Sequence, residues 1–422
     1  VLLSLFLIHC EEGFRKKLSP LEIVESFLNQ YTSYRKEQEM IDVLFRFVQY
    51  AERQVVLFDA LEDAAFKTVN DFNGAGTLKQ LKAETERIKD AGEITDKLNN
   101  FAVRLVLTAH PTQFYPGEVL GIINDLAKAV ATDSTSLINM YLQQLAKTPF
   151  LNKTKPTPYD EAISLLWYLE NVFYPAAGKI MMILKNDYAS IADIKHPLIQ
   201  MGFWPGGDRD GNPYVTADIT LKVAEALRGA ILKCYYLDVR RLKRRLTFVH
   251  VEDKLAELEI KLYNNLFIPD KKTDLSQEEI LTTLAGIRKT LIEEHNGLFL
   301  HLLDNFICKV EIFGLHFASL DVRQESSIHS KLLDAIAEKN EALPTAYSKY
   351  SDDEKIKAIE DLQASTVIVE TEDAVLNDTL KSVEAIQQIQ QYNGVAGCHR
   401  YIISQCNSAL NVMEVFALFR MT

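Results

Sequence analysis

Apolar residues recur at helical spacing along most of the chain, and explicit capping signals mark where the helices start. Ser19-Pro20-Leu21-Glu22 sets a capping hydroxyl, a proline at the first helical position and a glutamate three residues after the cap ahead of "IVESFLNQY". Thr157-Pro158-Tyr159-Asp160 opens "EAISLLWYLENVFY", Ser276-Gln-Glu-Glu279 opens "ILTTLAGIRKTLIEEH", and Ser351-Asp-Asp-Glu354 opens "KIKAIEDL". Four short apolar runs break this period: "RLVLTAH" (104–110), "PLIQMGFW" (197–204), "IFGLHFASLDVR" (312–323) and "HRYIISQ" (399–405). Each has strand length, ends in polar residues and leads into helical sequence, the pattern of parallel strands joined by crossover helices.

The fold class read from this pattern is helix-rich α/β. In such folds the ligand lies at the carboxyl ends of the strands. Those ends are roughly 80 to 120 residues apart, against roughly 30 per unit in a minimal eight-stranded barrel, so helical insertions fill the difference. Only about four strands are visible, and the sequence stops inside the apolar helical pattern "NVMEVFALFRMT", as an unfinished fold would. The stretches "NDFNGAGTLK" (70–79), "LNKTKPTP" (151–158) and "KNEALPTAYSKYSDDE" (339–354) read as polar joins between helices. The opening "VLLSLFLIHC" has no basic segment before it and no small-residue cleavage site after it, and reads as a buried helix. No run approaches the roughly 18 apolar residues of a membrane span.

Composition narrows the function classes. The 422 residues are 47% hydrophobic and 25% charged, the make-up of a globular protein with a large core. A net charge of -12 argues against non-specific nucleic-acid binding, so an anionic ligand would need local arginines. Cys10, Cys234, Cys308, Cys398 and Cys406 are scattered without C-x-x-C spacing, which fits reduced thiols in a cytoplasmic protein.

Candidate chemistry gathers at the strand ends. In "LTAHPTQFYPG", Pro111 fixes the turn and holds His110. His110 is either a general base, with an unperturbed pKa of about 6.5, or a hydrogen-bonded core histidine. No second histidine or carboxylate lies nearby at metal-ligand spacing. In "GFWPGGDRDGNP", Gly206, Gly207 and Gly211 permit positive φ and close approach of backbone amides to a ligand. Arg209 can clamp a carboxylate or phosphate, with Asp208 and Asp210 orienting it or pairing with other basic groups. The alternative is a tight turn with a structural Asp-Arg-Asp network. In "SLDVRQESSIH", alternation puts Ser319, Asp321 and Arg323 on one face, with Arg323 an anion clamp and Asp321 its in-strand orienter. A surface ion pair on an edge strand is the other reading, against which the apolar "EIFGLHFASL" argues. The fourth end offers Ser404, Gln405 and Asn407, and no G-x-S-x-G elbow is present. The basic stripe of Arg240, Arg241, Arg244 and Arg245 in "LDVRRLKRRL" reads as a solvated or ion-paired helix face ahead of a phosphate or subunit contact.

Taken in order, "VLTAHPTQ", "GGDRDGNP", "FGLHFASLDVRQESSIH" and "YIISQCNSALNVMEV" resemble the phosphoenolpyruvate carboxylase family along the whole chain, which looks like the N-terminal half of a longer family chain. The resemblance implies part of a (β/α)8 TIM-type barrel with large helical insertions, with residues 1–100 a helical region and residues 101–422 the first half of the barrel. It implies that phosphoenolpyruvate and bicarbonate become oxaloacetate and phosphate through carboxyphosphate and the enolate of pyruvate, with Mg2+ or Mn2+ as cofactor. His110 matches the base that deprotonates carboxyphosphate and Arg323 the substrate clamp. Arg209 matches a glycine-rich loop supported by Gly206, Gly207, Asp208, Asp210 and Asp321. A homo-tetramer and a cytoplasmic location are implied as well.

Two positions depart from the family pattern: Gln113 stands where the first motif usually has glutamate, and Gln405 where the fourth commonly has methionine. The metal-binding carboxylates, a later catalytic loop and an allosteric site are expected beyond Thr422, so the chain is expected to be inactive alone. Competing readings are a non-catalytic anion-binding or assembly module of the same family, and a metal-dependent barrel hydrolase built on His110.

Overall fold

All four capping sequences start helices. Ser19 Oγ accepts from the Glu22 amide at 3.3 Å while the Glu22 carboxylate accepts from the Ser19 amide at 2.8 Å, opening helix Pro20–Tyr31. Thr157 and Asp160 repeat the exchange ahead of Pro158–Tyr168, as do Ser351 and Glu354 ahead of Asp352–Glu360. Ser276 Oγ accepts from the Glu279 amide at 3.1 Å at the head of Gln277–Glu294. The computed structural model describes residues 2–88, 91–108, 115, 117–150, 156–188, 197–268, 275–339, 342–362 and 371–422. They fall into two compact units, residues 1–77 with 111–154, and residues 78–110 with 155–422.

The first unit is helical. Helix Glu37–Val69 packs on Gly117–Ala131 through Val56, Ala60, Val119, Ile122 and Leu126. The N-terminal segment is the expected helix, Leu2–Arg15, but it is not buried. Gly13 is its one fully buried residue, set so close to Ile23 that a Cβ there would lie 2.5 Å from Ile23 Cγ1. Its apolar residues run around the whole helix, more than a neighbour on one side can cover, and Leu7, Ile8 and Phe14 stay exposed.

The second unit holds a four-stranded parallel sheet: β1 (Val103–Leu107), β2 (Ile199–Phe203), β3 (Ser319–Glu325) and β4 (Arg400–Ser404), in spatial order β1-β2-β3-β4. Helices connect every pair, as the alternation of strand and helix patterns predicts. The third strand begins later than its apolar run suggests. Ile312 and Phe313 end helix Leu300–Phe313, Gly314 (φ 50°) stops it, and Phe317 (φ 60°) turns the chain before Ser319. An apolar run alone does not separate the last turn of a buried helix from a strand.

Register places Met201, Phe203, Leu320 and Val322 on one buried apolar face, covered by Leu300–Phe313 and Ser326–Lys339. The opposite face is polar and carries Arg104, Gln200, Asp321, Arg323 and Arg400. β1 is an edge strand with Val103, Leu105 and Val106 exposed.

The basic stripe lies at the end of helix Ala217–Lys243, where Arg240 and Arg241, with the neighbouring Lys243, are ion-paired. Arg240 and Lys243 both reach Glu259, at 3.6 and 2.6 Å, and Arg241 reaches Asp238 at 3.0 Å. All five cysteines are free, and burial pushes the Cys234 and Cys398 thiols up to about 12, which leaves them unreactive. Among the described residues no helix is long and apolar enough to cross a membrane.

Candidate active site

The glycine-rich loop leaves β2 at Trp204 and returns beside β3, extending the parallel ladder past the strand end. The Arg323 amide donates to Gly207 O at 2.9 Å and the Arg209 amide donates to Arg323 O at 3.0 Å, so Asp208 bridges to Arg323 as if it were strand. Gly206 (φ 81°) makes the turn, and its carbonyl accepts from Thr220 Oγ1 at 2.6 Å. Gly207 is glycine for a different reason than conformational freedom: a Cβ there would sit 2.1 Å from the Asp321 carbonyl oxygen. The glycines thus bring loop backbone against strand backbone.

This ladder sets the arginines. Arg323 reaches from β3 between two carboxylates, with Nη1 3.2 Å from Asp208 Oδ2 and Nη2 hydrogen-bonded to Asp210 Oδ2, and lies 5.7 Å from the centre of the Trp204 ring. Its side chain keeps 29% exposure. Arg209 differs. It is 6% exposed and bonds through Nη2 to Asp378, whose carboxylate also accepts from the Ala217 amide at 3.1 Å, at the head of helix Ala217–Lys243. Arg209 Nε and Nη1 are buried without partners among the described residues. Arg209 therefore ties the loop to two helices, while Asp208 and Asp210 pair with Arg323, the second of the two roles open to them in the sequence.

Asp321 does not orient Arg323. It is 2% exposed and takes a two-pronged bond from Arg104 on β1, at 2.7 and 2.9 Å, together with the Trp204 indole N–H at 3.1 Å. Arg104 reaches it by crossing β2 over Gly202, where a Cβ would lie 2.6 Å from Arg104 Cζ. Side chains alternate along β3, so Asp321 and Arg323 do share a face, but Arg104 claims the carboxylate across the sheet. His110 and Gln113 lie outside the described residues. Of the fourth strand end, Gln405 (φ 53°) turns the chain and its carbonyl accepts from Ser326 Oγ at 2.9 Å.

Sequence reasoning missed Arg104, Trp204 and Asp378 as members of the cluster. A charged residue inside the apolar run of β1 was a readable signal for Arg104. Asp378 is 169 positions from Arg209 and had none.

The charges in the cluster balance: Arg104, Arg209, Arg323 and Arg400 face Asp208, Asp210, Asp321 and Asp378. Burial raises the Asp208 carboxyl above the usual range, although Arg323 and the Asp210 backbone amide oppose the rise. Asp208 Oδ1 is buried and unpartnered among the described residues. These carboxylates are committed to arginines, and no group of three or more His, Cys, Asp or Glu is placed to hold a metal among the described residues. The described residues therefore do not fit a resident divalent cation.

Two histidines of this unit are held neutral by their surroundings, His329 near Arg209 and His316 in the turn that leads into β3. His329 shares a 2.8 Å hydrogen bond between Nε2 and Tyr401 OH, and burial together with Arg209 pushes it down to about 4. Burial also pushes His316 down to about 4. Both rings are neutral when folded, whereas the unfolded chain takes up protons at about 6.5, so their contribution to stability is full above about pH 6.5 and falls as pH drops towards about 4. At about pH 5 the expected loss is about 2 kcal/mol per histidine. Urea unfolding of the native chain and of His329→Gln from pH 7 to 5 checks this: the difference between the two should shrink with falling pH, and a constant difference would contradict the burial of a neutral ring.

Comparison with known proteins bears on the same strand ends. The sequence profile of the phosphoenolpyruvate carboxylase family matches residues 42–265 and 261–422. A phosphoenolpyruvate carboxylase of Synechococcus sp. is 27% identical over 81% of this chain and 39% of its own length. That of Trichormus variabilis is 26% identical over 77% and 39%, and that of Synechocystis sp. 25% identical over 81% and 41%. The chain thus spans about two fifths of the length of these curated relatives. With the profile matching nearly end to end through the β2, β3 and β4 motifs, the chain belongs to the phosphoenolpyruvate carboxylase family.

Proposed function

We propose that this chain supplies the phosphoenolpyruvate-binding strand ends of a phosphoenolpyruvate carboxylase, which converts phosphoenolpyruvate and bicarbonate to oxaloacetate and phosphate. The observation that carries this reading is Arg323, a partly exposed guanidinium fixed at a strand end by Asp208, Asp210 and Trp204. In this reading it donates two hydrogen bonds to the substrate phosphate, and Arg209, through Asp378, holds the loop that fixes it. Bicarbonate oxygen attacks phosphorus and the enolate of pyruvate leaves. The carboxyphosphate formed loses its proton to His110 and separates into CO2 and phosphate, and the enolate carbon attacks the CO2. The four parallel strands are then consecutive strands of a (β/α)8 barrel, with residues 1–100 a helical region before it.

In the complete enzyme, His110→Asn is expected to stop oxaloacetate formation while phosphate release from phosphoenolpyruvate continues, because phosphoryl transfer precedes the step that needs the base. Parallel assays of phosphate and oxaloacetate test this, and equal loss of both products would contradict the role. Cytoplasmic location and homo-oligomerisation, tetrameric by family resemblance, belong to the same proposal. The exposed apolar edge of β1 supports self-association, and sedimentation showing only monomer at every concentration would remove that part.

A further inference from the structure

Arg104 stands on the edge strand β1, two residues before the first of the four motifs, and has no part in the reaction proposed above. Among the described residues its hydrogen bonds go to the two oxygens of Asp321, at 2.7 and 2.9 Å, and to the Ser319 carbonyl at 3.4 Å. The sheet is shaped for this reach. Arg104 crosses β2 at Gly202, where a Cβ would lie 2.6 Å from Arg104 Cζ. Gly202 is not among the positive-φ glycines, so this position supplies room for the crossing side chain rather than backbone freedom.

Asp321 is the buried carboxylate on which Arg323 depends indirectly. The two share a face of β3, two residues apart, and a carboxylate so buried needs a cationic partner. Without Arg104, the cations of this face that neighbour Asp321 are Arg323 and Arg400. Arg400, opposite Asp321 on β4, leans away to Gln200 on β2, whose Oε1 lies 3.4 Å from its Nη2. Arg323 is the one whose displacement would empty the fork of Asp208 and Asp210. Asp321 also accepts from the Trp204 indole N–H at 3.1 Å, and the Trp204 ring centre lies 5.7 Å from the Arg323 guanidinium. Arg104 therefore acts on both neighbours of the clamp: it occupies the carboxylate that would draw Arg323 back along its strand, and it steadies the carboxylate that orients the ring beside it.

We propose that Arg104 is a positioning residue of the phosphate clamp. It neutralises Asp321 and so leaves Arg323 between Asp208 and Asp210, beside Trp204, with its remaining N–H groups free for the substrate. The inference rests on the reading of Arg323 as that clamp. Arg104 makes no contact with the substrate, and its charge matters only through Asp321. Its loss is therefore repaired by removing the charge of Asp321 as well.

Steady-state kinetics of the complete enzyme test this. Arg104→Met, which keeps the aliphatic stem over Gly202, is expected to raise KM for phosphoenolpyruvate about tenfold while kcat stays within about threefold of native. Arg104→Lys, which keeps the charge and loses the two-pronged bond, is expected to fall between the two. The double variant Arg104→Met/Asp321→Asn leaves no unpaired charge, and its amide oxygen still accepts from Trp204. Its KM is expected to return to within about threefold of native. Urea unfolding confirms which variants fold, and Arg104→Lys and the double variant carry the test if Arg104→Met does not. Native KM in a folded Arg104→Met or Arg104→Lys enzyme, a loss of kcat at unchanged KM, or a folded double variant whose KM stays about tenfold above native would each overturn the proposal. Arg323→Ala in the same assay keeps the two readings apart. If it raises KM and Arg104→Met does not, the positioning role alone fails; if it leaves KM unchanged, the clamp itself fails.

Discussion

Gly207→Ala is expected to destabilise the second unit by at least about 3 kcal/mol, the upper range for overpacking at a site that cannot relax. The methyl group would meet a backbone carbonyl, Asp321 O, at 2.1 Å rather than the movable end of a side chain. Relief requires parting the loop from β3, which breaks the bonds from the Arg323 amide to Gly207 O and from the Arg209 amide to Arg323 O. Urea unfolding followed by circular dichroism measures the loss. The same substitution at Gly211, where nothing lies within 4 Å of the added Cβ, meets only the strain of its φ of 70° and should cost about 1 kcal/mol. Equal stability of the two variants would contradict the packed ladder.

Arg323→Ala should abolish high-affinity handling of phosphoenolpyruvate. A two-pronged guanidinium–phosphate contact contributes about 3 kcal/mol, so kcat/KM of the complete enzyme should fall roughly a hundredfold. Arg323→Lys should recover only part of this, because an ammonium cannot span both oxygens in the plane. The substitution also leaves Asp208 and Asp210 facing each other without a cation. A rise in KM should then deepen with pH as Asp208, whose carboxyl is already raised, gives up its proton. Unchanged kinetics in Arg323→Ala would make Arg323 a structural strut of the loop.

The strands and helix starts were legible because both depend on local spacing. A capping serine and its glutamate are three residues apart, and an apolar run ending in polar residues marks a buried parallel strand by itself. Asp208, Arg209 and Asp210 were likewise recognisable as a charged loop at a strand end. Which carboxylate holds which arginine was not. Arg104 meets Asp321 across 217 positions and Arg209 meets Asp378 across 169, and these contacts arise only when the sheet register and the packing of helix Ala374–Asn393 are set. Alternation correctly put Asp321 and Arg323 on one face and wrongly suggested that they serve each other, because it says nothing of what crosses from the next strand but one. The role of Gly207 was hidden for the same reason. A glycine beside a positive-φ glycine reads as loop freedom, whereas the requirement comes from the backbone of β3, more than a hundred residues away.

The central claim is that Arg323, held by Asp208 and Asp210 against Trp204, is the phosphate clamp of a phosphoenolpyruvate site. The chain has two tryptophans, so Trp167→Phe leaves Trp204 as the sole indole, 5.7 Å from the Arg323 guanidinium. Titration of this variant with phosphoenolpyruvate in the presence of Mg2+ should change Trp204 fluorescence saturably. The change should be lost in Arg323→Ala and kept in Arg228→Met, whose substitution lies on helix Ala217–Lys243 outside the arginine cluster. A flat titration, or one indifferent to Arg323, would contradict the account.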